Sequence, residues 1–565
     1  MLYSKLCDIY EKLEKTSKRL EKTEILSDFI KKLNIEEKEI IYLLQGRVFP
    51  DYDSREIGIS TQLVIKSLEK SSGTKNEEIV KLWKKLGDLG EVASLIIKRK
   101  KQATLFSKRL EAEKVLSNIR KLTEFEGKGT IEKKISLITE LLNFSNEKEA
   151  KYVVRTLLQD LRIGIGEGIL RDAILYAFFG KEDKEALQLI QEAYDKTLDF
   201  AKVFELSIKG KEKLKNIELI PGKPVKVMLA LKVKDIKEGF EVTGKPAAFE
   251  FKYDGFRMLI SKDEKNEVRI FTRRLEDVTN QFPEVKEYVK KFVNAKTFII
   301  DAEAVGYDSK TKKYRPFQEI SQRIKRKYEI SKLEKELPVE INVFDILYYN
   351  GKNLLNIPFL ERRKILEKII KPEKYKLKLA EQIITDKEKE AELFYKKALQ
   401  NGQEGLMIKN INGIYKPGAR VGYMVKLKPT QKELDLVITE AEFGTGKRAG
   451  WLTSFNVACK DKEGLREVGK VSTGLKEKSG EGTTFEEITK ILKPLIIKEK
   501  GRKVELKPKI VITVTYQEIQ KSPSYNSGYA LRFPRFIALR IDKSIDDIAT
   551  LEEIEKEYLK QERSI

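Results

Sequence analysis

The hydrophobic periodicity of this chain changes near residue 210, and that change limits the folds the chain can adopt. Before it, apolar residues recur every three or four positions, which places them on one face of a helix. Examples are Leu2, Leu6, Ile9, Tyr10 and Leu13. The first part of the chain is therefore predicted to be an all-helical domain.

A polar, lysine-rich connection, KGKEKLKNIELIPGKP (209 to 224), follows the helical part. Short alternating runs then mix with helical ones up to residue 428, which predicts an α+β domain with antiparallel sheets. After Pro429, five or so short strands with glycine-rich connections predict a small β-barrel of the OB-fold kind. The predicted domains are 1–215, 216–428 and 429–565. The last dozen residues are predicted to form a frayed helix.

The charge balance favours a polyanionic partner. Lys and Arg total 112 against 89 Asp and Glu, a net charge of +23 over 565 residues. Nucleic acid is the first candidate, because each phosphate contacted releases counterions. A membrane is disfavoured, since no apolar run approaches the length of a spanning helix. The charged start of the chain has no signal-peptide core, so a cytoplasmic location is expected.

The chain contains no histidine and only two cysteines, Cys7 and Cys459. This composition excludes imidazole catalysis, a disulfide scaffold and a four-cysteine zinc site. The chemistry must therefore use lysine, arginine and carboxylates.

The run AAFEFKYDGFRMLI (247 to 260) places a lysine within an aromatic, strand-like segment. Side chains of a strand alternate between its two faces. One face would carry Phe249, Phe251 and Tyr253, and the other Glu250, Lys252 and Asp254. The alternative is an ordinary β-hairpin, because Asp-Gly between apolar alternations is a strong turn signal.

A lysine acts as a nucleophile only in its neutral form, which neighbouring cations or burial favour. Arg257 follows Lys252 closely, and the strand MVKLK places Lys426 and Lys428 on one face. These cations could activate Lys252. They could equally hold the phosphates of a nucleoside triphosphate.

Carboxylates recur in otherwise apolar strands. Asp301 and Glu303 share a face in FIIDAEAVGYD, and Glu404 precedes the run GLMIK. Either segment could bind magnesium, which prefers oxygen ligands. The alternative for these carboxylates is a solvated strand edge. Phe344, in INVFDILYYNG, could stack on a nucleotide base, and its alternative is a position in the hydrophobic core.

Seven short blocks carry a resemblance to a known family. They are KYDGFR (252 to 257), TRRLED (272 to 277), DAEAVGYD (301 to 308), VFDILYYNG (343 to 351), EGLMIK (404 to 409), VKLKP (425 to 429) and ALRFPRF (530 to 536). Because these blocks occur in the same order as in ATP-dependent DNA ligases of the archaeal type, the chain resembles that family. The resemblance implies a helical DNA-binding domain, a nucleotidyltransferase domain and an OB-fold domain. LQDLRIGIGEGILRDA (158 to 173) is similar to the helical domain of that family.

The resemblance also implies roles for single residues. Lys252 would attack the α-phosphate of ATP and carry AMP. The expected nucleotide contacts are Glu250 and Phe344 to adenine, Arg257 and Arg273 to ribose and phosphate, Glu303 to ribose or a metal, and Arg420, Lys426 and Lys428 to phosphates. Glu404 would be a second carboxylate beside Mg²⁺, for which Mn²⁺ could substitute. In the barrel, Arg532, Arg535 and Lys543 would orient the pyrophosphate.

The implied partner is nicked duplex DNA, bound by a monomer in replication, repair and recombination. A helix is predicted to start just after Arg162, Gly164 and Gly166, and its first backbone N–H groups would bind a DNA phosphate. The alternative is a simple turn that connects two helices. RKQATLFSK (99 to 107) resembles a sliding-clamp motif through Gln102, Leu105 and Phe106, and an ordinary helix contact is the alternative. RNA ligases, capping enzymes and a non-catalytic DNA-binding scaffold remain rivals, whereas NAD-dependent ligases are disfavoured by the missing cysteines.

Overall fold

The computed structural model describes residues 1–99, 109–125, 127, 129–315, 317–326, 328–429, 432–445, 448, 450–477 and 482–563. The backbone divides into two compact units that each combine several stretches of chain. Unit 1 comprises Met1–Leu231, Gly255–Glu381 and Lys409–Met424, and unit 2 comprises Lys232–Asp254, Gln382–Ile408 and Val425–Ile565. The three sequence-based domain boundaries stay a prediction.

The first part of unit 1 is helical, as its periodicity predicts. The helices are α1 (Tyr3–Glu14), α2 (Arg19–Ile30), α3 (Ile40–Leu44), α4 (Thr61–Ser72), α5 (Asn76–Leu86), α6 (Leu89–Arg99), α7 (Ala112–Lys121), α8 (Ile131–Phe144), α9 (Glu147–Leu157), α10 (Glu167–Phe178), α11 (Lys184–Thr197), α12 (Phe200–Ile208) and α13 (Lys211–Lys215). Their apolar faces meet in one core that includes Tyr10, Leu68 and Phe204. Local signals set helix ends, such as the capping box of Asn146 and Glu149 at α9. Helix α13 lies inside the segment predicted as a polar connection.

A second layer of unit 1 is a seven-stranded sheet of order β4-β3-β5-β7-β8, with β6 beside β5 and β9 beside β7. Its strands are β3 (Phe256–Lys262), β4 (Val268–Thr272), β5 (Phe298–Tyr307), β6 (Tyr314–Arg315), β7 (Val339–Tyr349), β8 (Lys352–Asn353) and β9 (Leu377–Leu379). The associated helices are α15 (Pro283–Phe292), α16 (Phe317–Lys325), α17 (Ile330–Glu336) and α18 (Phe359–Ile369). The pairing is antiparallel, as predicted, except that β9 runs parallel to β7. One face of this sheet forms a core with Phe282 and Phe298.

A five-stranded sheet has the order β1-β12-β11-β2-β10. Its strands are β1 (Leu229–Val233), β2 (Ala247–Lys252), β10 (Gln382–Thr385), β11 (Gly405–Asn410) and β12 (Arg420–Leu427), and the nearby helices are α14 (Ile236–Thr243) and α19 (Glu388–Gln400). The alternation predicted for β2 is visible in its packing. Phe249 contacts Phe240 with ring centroids 5.2 Å apart, and Phe251 contacts Phe394 at 4.8 Å.

The remainder of unit 2 is rich in strands. They are β13 (Lys432–Phe443), β14 (Leu452–Asp461), β15 (Gly464–Val471), β16 (Ile496–Lys500), β17 (Lys503–Leu506), β18 (Val511–Tyr516), β19 (Glu518–Lys521), β20 (Tyr529–Arg532) and β21 (Arg535–Leu539), with helices α20 (Phe485–Leu492) and α21 (Leu551–Arg563). Helical, mixed and strand-rich parts therefore follow one another as predicted, and the fold class is confirmed.

The predicted C-terminal helix is confirmed, but up to residue 563, where the described chain ends, it is packed against the strands and not frayed. Ile554 of α21 is fully buried, and Tyr558 contacts Tyr529 with ring centroids 5.3 Å apart. The amide of Gln561 also donates a hydrogen bond to the carbonyl of Ile519. Within the described part of the chain, no helix combines the length and apolar character needed to cross a membrane.

Candidate active site

The Asp254-Gly255 step does not form a hairpin. Strand β2, before it, belongs to the five-stranded sheet, and β3, after it, belongs to the seven-stranded sheet. Glycine is required at 255, because a Cβ there would lie 2.3 Å from the carbonyl oxygen of Ala304. The chain therefore uses this dipeptide to pass from one sheet to another, and the hairpin alternative is excluded.

At the end of β2, Lys252 belongs to a cluster of one carboxylate and two lysines. The Oε2 atom of Glu404 lies 2.5 Å from Nζ of Lys252 and 2.5 Å from Nζ of Lys428. The backbone N–H of Glu404 also donates to the carbonyl of Lys252, at 2.8 Å. Gly405 allows β11 and β12 to approach, since a Cβ there would lie 2.1 Å from the carbonyl oxygen of Leu427.

The electrostatics of this cluster favour an ionised Glu404. Its side chain is 14% exposed. Burial alone would raise the pKa of this carboxyl group, but the ammonium groups of Lys252 and Lys428 lower the pKa to about 2. Two cations thus share one anion, which leaves a net positive charge beside Lys252.

Asp254 extends the cluster towards the C-terminal strands. Its Oδ1 atom is buried without a hydrogen-bond donor and lies 3.6 Å from Nη2 of Arg532. Arg532 in turn binds Glu518 at 2.8 Å. Burial raises the pKa of Asp254, the positive charge of Arg532 opposes that rise, and the negative charge of Glu404 adds to it.

The donor set of unit 2 is compatible with a magnesium ion. Among the described residues no group of three or more Asp, Glu, His or Cys side chains forms a protein cage. Magnesium commonly binds through one or two carboxylates together with substrate phosphates. Glu404 and the unsatisfied oxygen of Asp254 provide carboxylates of that kind.

In unit 1, Arg257 is held in a buried network. Its guanidinium donates to both carboxylate oxygens of Asp301, the Nε contact being 2.7 Å, and also to the Tyr415 hydroxyl and the Met228 carbonyl. Burial would lower the pKa of Arg257, but Asp301 raises it well above its usual range. The guanidinium lies 5.3 Å from the ring of Phe344. Arg257 is therefore rigidly positioned.

The sheet places other predicted residues near Arg257. Glu303 pairs in register with Arg257 on β3 and with Asn342 on β7. Phe344 is half-buried, and the ammonium of Lys409 lies 4.7 Å from its ring centroid. This face of unit 1 thus combines an aromatic ring, a fixed arginine and a carboxylate.

The remaining predicted residues differ in their environments. Glu250 is buried and accepts a hydrogen bond from Gln382 at 2.8 Å. Lys426 is half-buried, whereas its neighbours on the strand, Val425 and Leu427, are buried. Three predicted arginines, Arg273, Arg420 and Arg535, are exposed. Lys543 binds Asp435 at 2.6 Å.

Comparison with known proteins identifies the family. The family description "ATP dependent DNA ligase domain" matches residues 227–428, "DNA ligase N terminus" matches 2–175, and "ATP dependent DNA ligase C terminal region" matches 448–543. The chain is 46% identical over 570 residues to the DNA ligase of Nanoarchaeum equitans (strain Kin4-M), which covers 100% of both chains. It is 43% identical to the DNA ligase of Thermococcus fumicolans, over 100% of this chain and 99% of the relative.

The chain belongs to the ATP-dependent DNA ligase family. It is accordingly an ATP-dependent enzyme, as the seven blocks predict. The solved structure "Pmar-Lig_PreS3" is similar with a TM-score of 0.53, at 17% identity over 94% of this chain and 99% of that one. This last likeness supports the fold alone.

The glycine loop of this ligase lies where the sequence predicts a helix start. Gly166 is the N-cap of α10, without a side-chain cap, and Arg162 and Gly164 have φ angles of 59° and 66°. The guanidinium of Arg162 binds Asp160 at 2.7 Å. The clamp-motif residues Gln102, Leu105 and Phe106 lie outside the described residues, and their role stays a prediction.

Sequence reasoning missed several partners of the site residues in this ligase. Gln382 binds Glu250 although 132 positions separate them, and Tyr415 contacts Arg257 across 158 positions. No local pattern marks such pairs. A single polar residue at the start of a short strand, such as Gln382, gives only a weak indication that it binds Glu250.

Proposed function

We propose that the chain seals single-strand nicks in duplex DNA by way of a covalent adenylate on Lys252. The observation that carries this proposal is the contact of Lys252 with Glu404, which Lys428 shares at the same distance of 2.5 Å. Such a cluster combines a candidate amine nucleophile with a neighbouring cation for phosphate.

Three displacements account for the reaction. First, the neutral Nζ of Lys252 attacks the α-phosphorus of ATP, a P–N bond forms as Nζ gives up a proton to solvent, and the bond to the departing pyrophosphate breaks. Second, a 5′-phosphate oxygen at the nick attacks the same phosphorus, and Nζ leaves and regains a proton. Third, the 3′-hydroxyl oxygen attacks the 5′-phosphorus and loses its proton to solvent, the phosphodiester bond forms, and the P–O bond to AMP breaks so that AMP leaves. All three steps depend on positioning and on neutralising phosphate charge.

The residues around Lys252 would divide this work. Glu404 holds the amine in place, and Lys428 remains to bind phosphate when Lys252 becomes neutral. Glu404 would hold Mg²⁺, whose charge would neutralise that of the phosphates. Glu303 stays a separate candidate for a contact to ribose or a metal. Asp254 offers a further oxygen beside Glu404.

The nucleotide-binding roles belong to the same proposal. Phe344 stacks on the adenine, and Glu250 accepts from its amino group. Arg257 and Arg273 contact ribose and phosphate. Arg420 and Lys426 bind phosphates, and Arg532, Arg535 and Lys543 orient the pyrophosphate. The rigid hold of Asp301 on Arg257 supports a preformed contact of this kind.

The proposal is tested by incubation with α-labelled ATP and Mg²⁺, followed by denaturing electrophoresis. Wild type and the control Lys237→Ala, at an exposed lysine of the same unit, should carry the label. Lys252→Ala should not. A labelled Lys252→Ala protein would place the nucleophile elsewhere. Action as a monomer, a cytoplasmic location and clamp binding stay predictions.

A further inference from the structure

The loop of residues 162–166 ends at a helix whose first turn is open. Helix α10 spans twelve residues, and Gly166 at its N-cap contributes no side-chain hydrogen bond. The free N–H groups and the dipole of such a terminus favour a phosphate oxygen. The terminus alone would not define a site, but a second feature lies directly behind the loop.

That feature is the buried side chain of Lys22 on α2. Lys22 is 8% exposed, and its ammonium donates to the carbonyl of Ile163 inside the loop. A Cβ at Gly164 would lie only 2.6 Å from Nζ of Lys22. Gly164 itself is exposed. An anion that approaches Gly164 from solvent therefore also approaches the ammonium of Lys22.

The charge of Lys22 is not neutralised by the protein. Among the described residues no carboxylate lies within ion-pair distance of its nitrogen, and the Ile163 carbonyl is its one hydrogen-bond acceptor there. Another buried cation of the helical region is treated differently. Arg155, 3% exposed, binds Asp88 at 2.6 Å and Glu14 at 3.1 Å.

An unpaired buried ammonium is costly, because it loses hydration without gaining an anion. Such a cost is typical of residues kept for a functional reason. The missing anion at this position would come from a ligand. Glycine at 164 leaves the ammonium close to the surface, and the open turn of α10 adds further N–H donors.

We propose that Lys22 is a phosphate-binding residue for the backbone of the DNA substrate, acting through the glycine at position 164. The inference deepens the proposed function, since it rests on DNA as the partner of the helical region. The phosphate-binding role is thus given to a lysine outside the loop of residues 162–166, 140 positions before that loop begins.

The test uses the full-length protein and a nicked duplex that lacks the 5′-phosphate, so that no adenylate transfer occurs. Binding is measured by fluorescence anisotropy over a series of salt concentrations. Lys22→Met removes the charge, and Lys31→Met at the exposed C-cap of the same helix is the control, about 13 Å away along the axis. For Lys22→Met we expect affinity about tenfold weaker at low salt and a log–log salt slope smaller by about 0.9. The control should keep the wild-type slope.

A second variant separates charge from loop support. Lys22→Gln keeps a donor for the Ile163 carbonyl but removes the charge, so its slope should fall as in Lys22→Met. Wild-type slopes in both variants would overturn the proposal. A wild-type slope in Lys22→Gln alone would also overturn it, because Lys22 would then only support the loop.

Two further readouts complete the test. The melting temperature of Lys22→Gln should equal or exceed that of wild type, since an uncompensated buried charge is removed. Formation of the lysyl-adenylate needs no DNA and should be unchanged. A failure of the proposed chemistry at Lys252 would appear in the adenylation assay, and a failure of the role of Lys22 in the binding assay.

Discussion

Replacement of Glu404 by glutamine tests the electrostatic basis of the site. The variant keeps the size of the side chain and removes the charge that Lys252 and Lys428 share. The pKa of Glu404 is lowered from 4.5 to about 2. That difference corresponds to about 3 kcal/mol in favour of the ionised form. If this interaction also positions the amine in the transition state, its loss slows adenylation by up to about 100-fold.

The assay is the single-turnover rate of adenylate formation with saturating ATP and Mg²⁺. We expect a loss of roughly 10- to 100-fold for Glu404→Gln, with a melting temperature that shows the variant to be folded. Glu392→Gln, at an exposed position of α19 in the same unit, should react at the wild-type rate. A folded Glu404→Gln protein within threefold of the wild-type rate would refute the reasoning, since the carboxylate would then not position Lys252.

Three further predictions concern the rest of the molecule. Arg257→Lys should lower the free energy of unfolding by about 3 kcal/mol in chemical denaturation, because a lysine cannot maintain the bidentate contact with the fully buried Asp301. Gly255→Ala should lower the melting temperature and the adenylation rate together, because its Cβ would meet the carbonyl of Ala304 at 2.3 Å. Affinity for nicked duplex should fall by roughly three to five decades between about 50 and 200 mM salt if six to ten phosphates are contacted.

Each of these predictions has a control or a contrary result. Arg269→Lys alters a half-exposed pair with Asp277 at 3.4 Å and should change the free energy of unfolding by at most about 1 kcal/mol. If Arg257→Lys changed the free energy of unfolding by no more than this control, the role of the buried network would be contradicted. Gly166→Ala meets no atom within 4 Å, so its melting temperature should stay near that of wild type. A flat salt response would argue against binding through phosphates.

The sequence was most informative where periodicity and motif order were sufficient. The helical region, the mixed region and the strand-rich region follow from the spacing of apolar residues, which local geometry determines directly. Alternation on β2 and β12 likewise predicted the burial of Phe251, Val425 and Leu427. Lys252 could be named from the sequence because the block KYDGFR resembles the catalytic block of the family and the chain has no histidine.

Features that depend on tertiary contacts were not predictable in this way. The Asp-Gly step has the signature of a hairpin, but the reason for its glycine is the close carbonyl of Ala304. The terminal helix was predicted to fray because chain ends often do, yet Ile554 anchors it. The pairing of Lys543 with Asp435 joins positions 108 residues apart, and no local pattern encodes such a distance.

The most direct test of the central claim is to identify the side chain that carries AMP. The protein is incubated with ATP and Mg²⁺, digested at neutral to alkaline pH to protect the acid-labile bond, and analysed by peptide mass spectrometry. We predict one adenylated peptide, with AMP on Nζ of Lys252. AMP on a different residue, or no adduct in a protein that still seals nicks, would contradict the account.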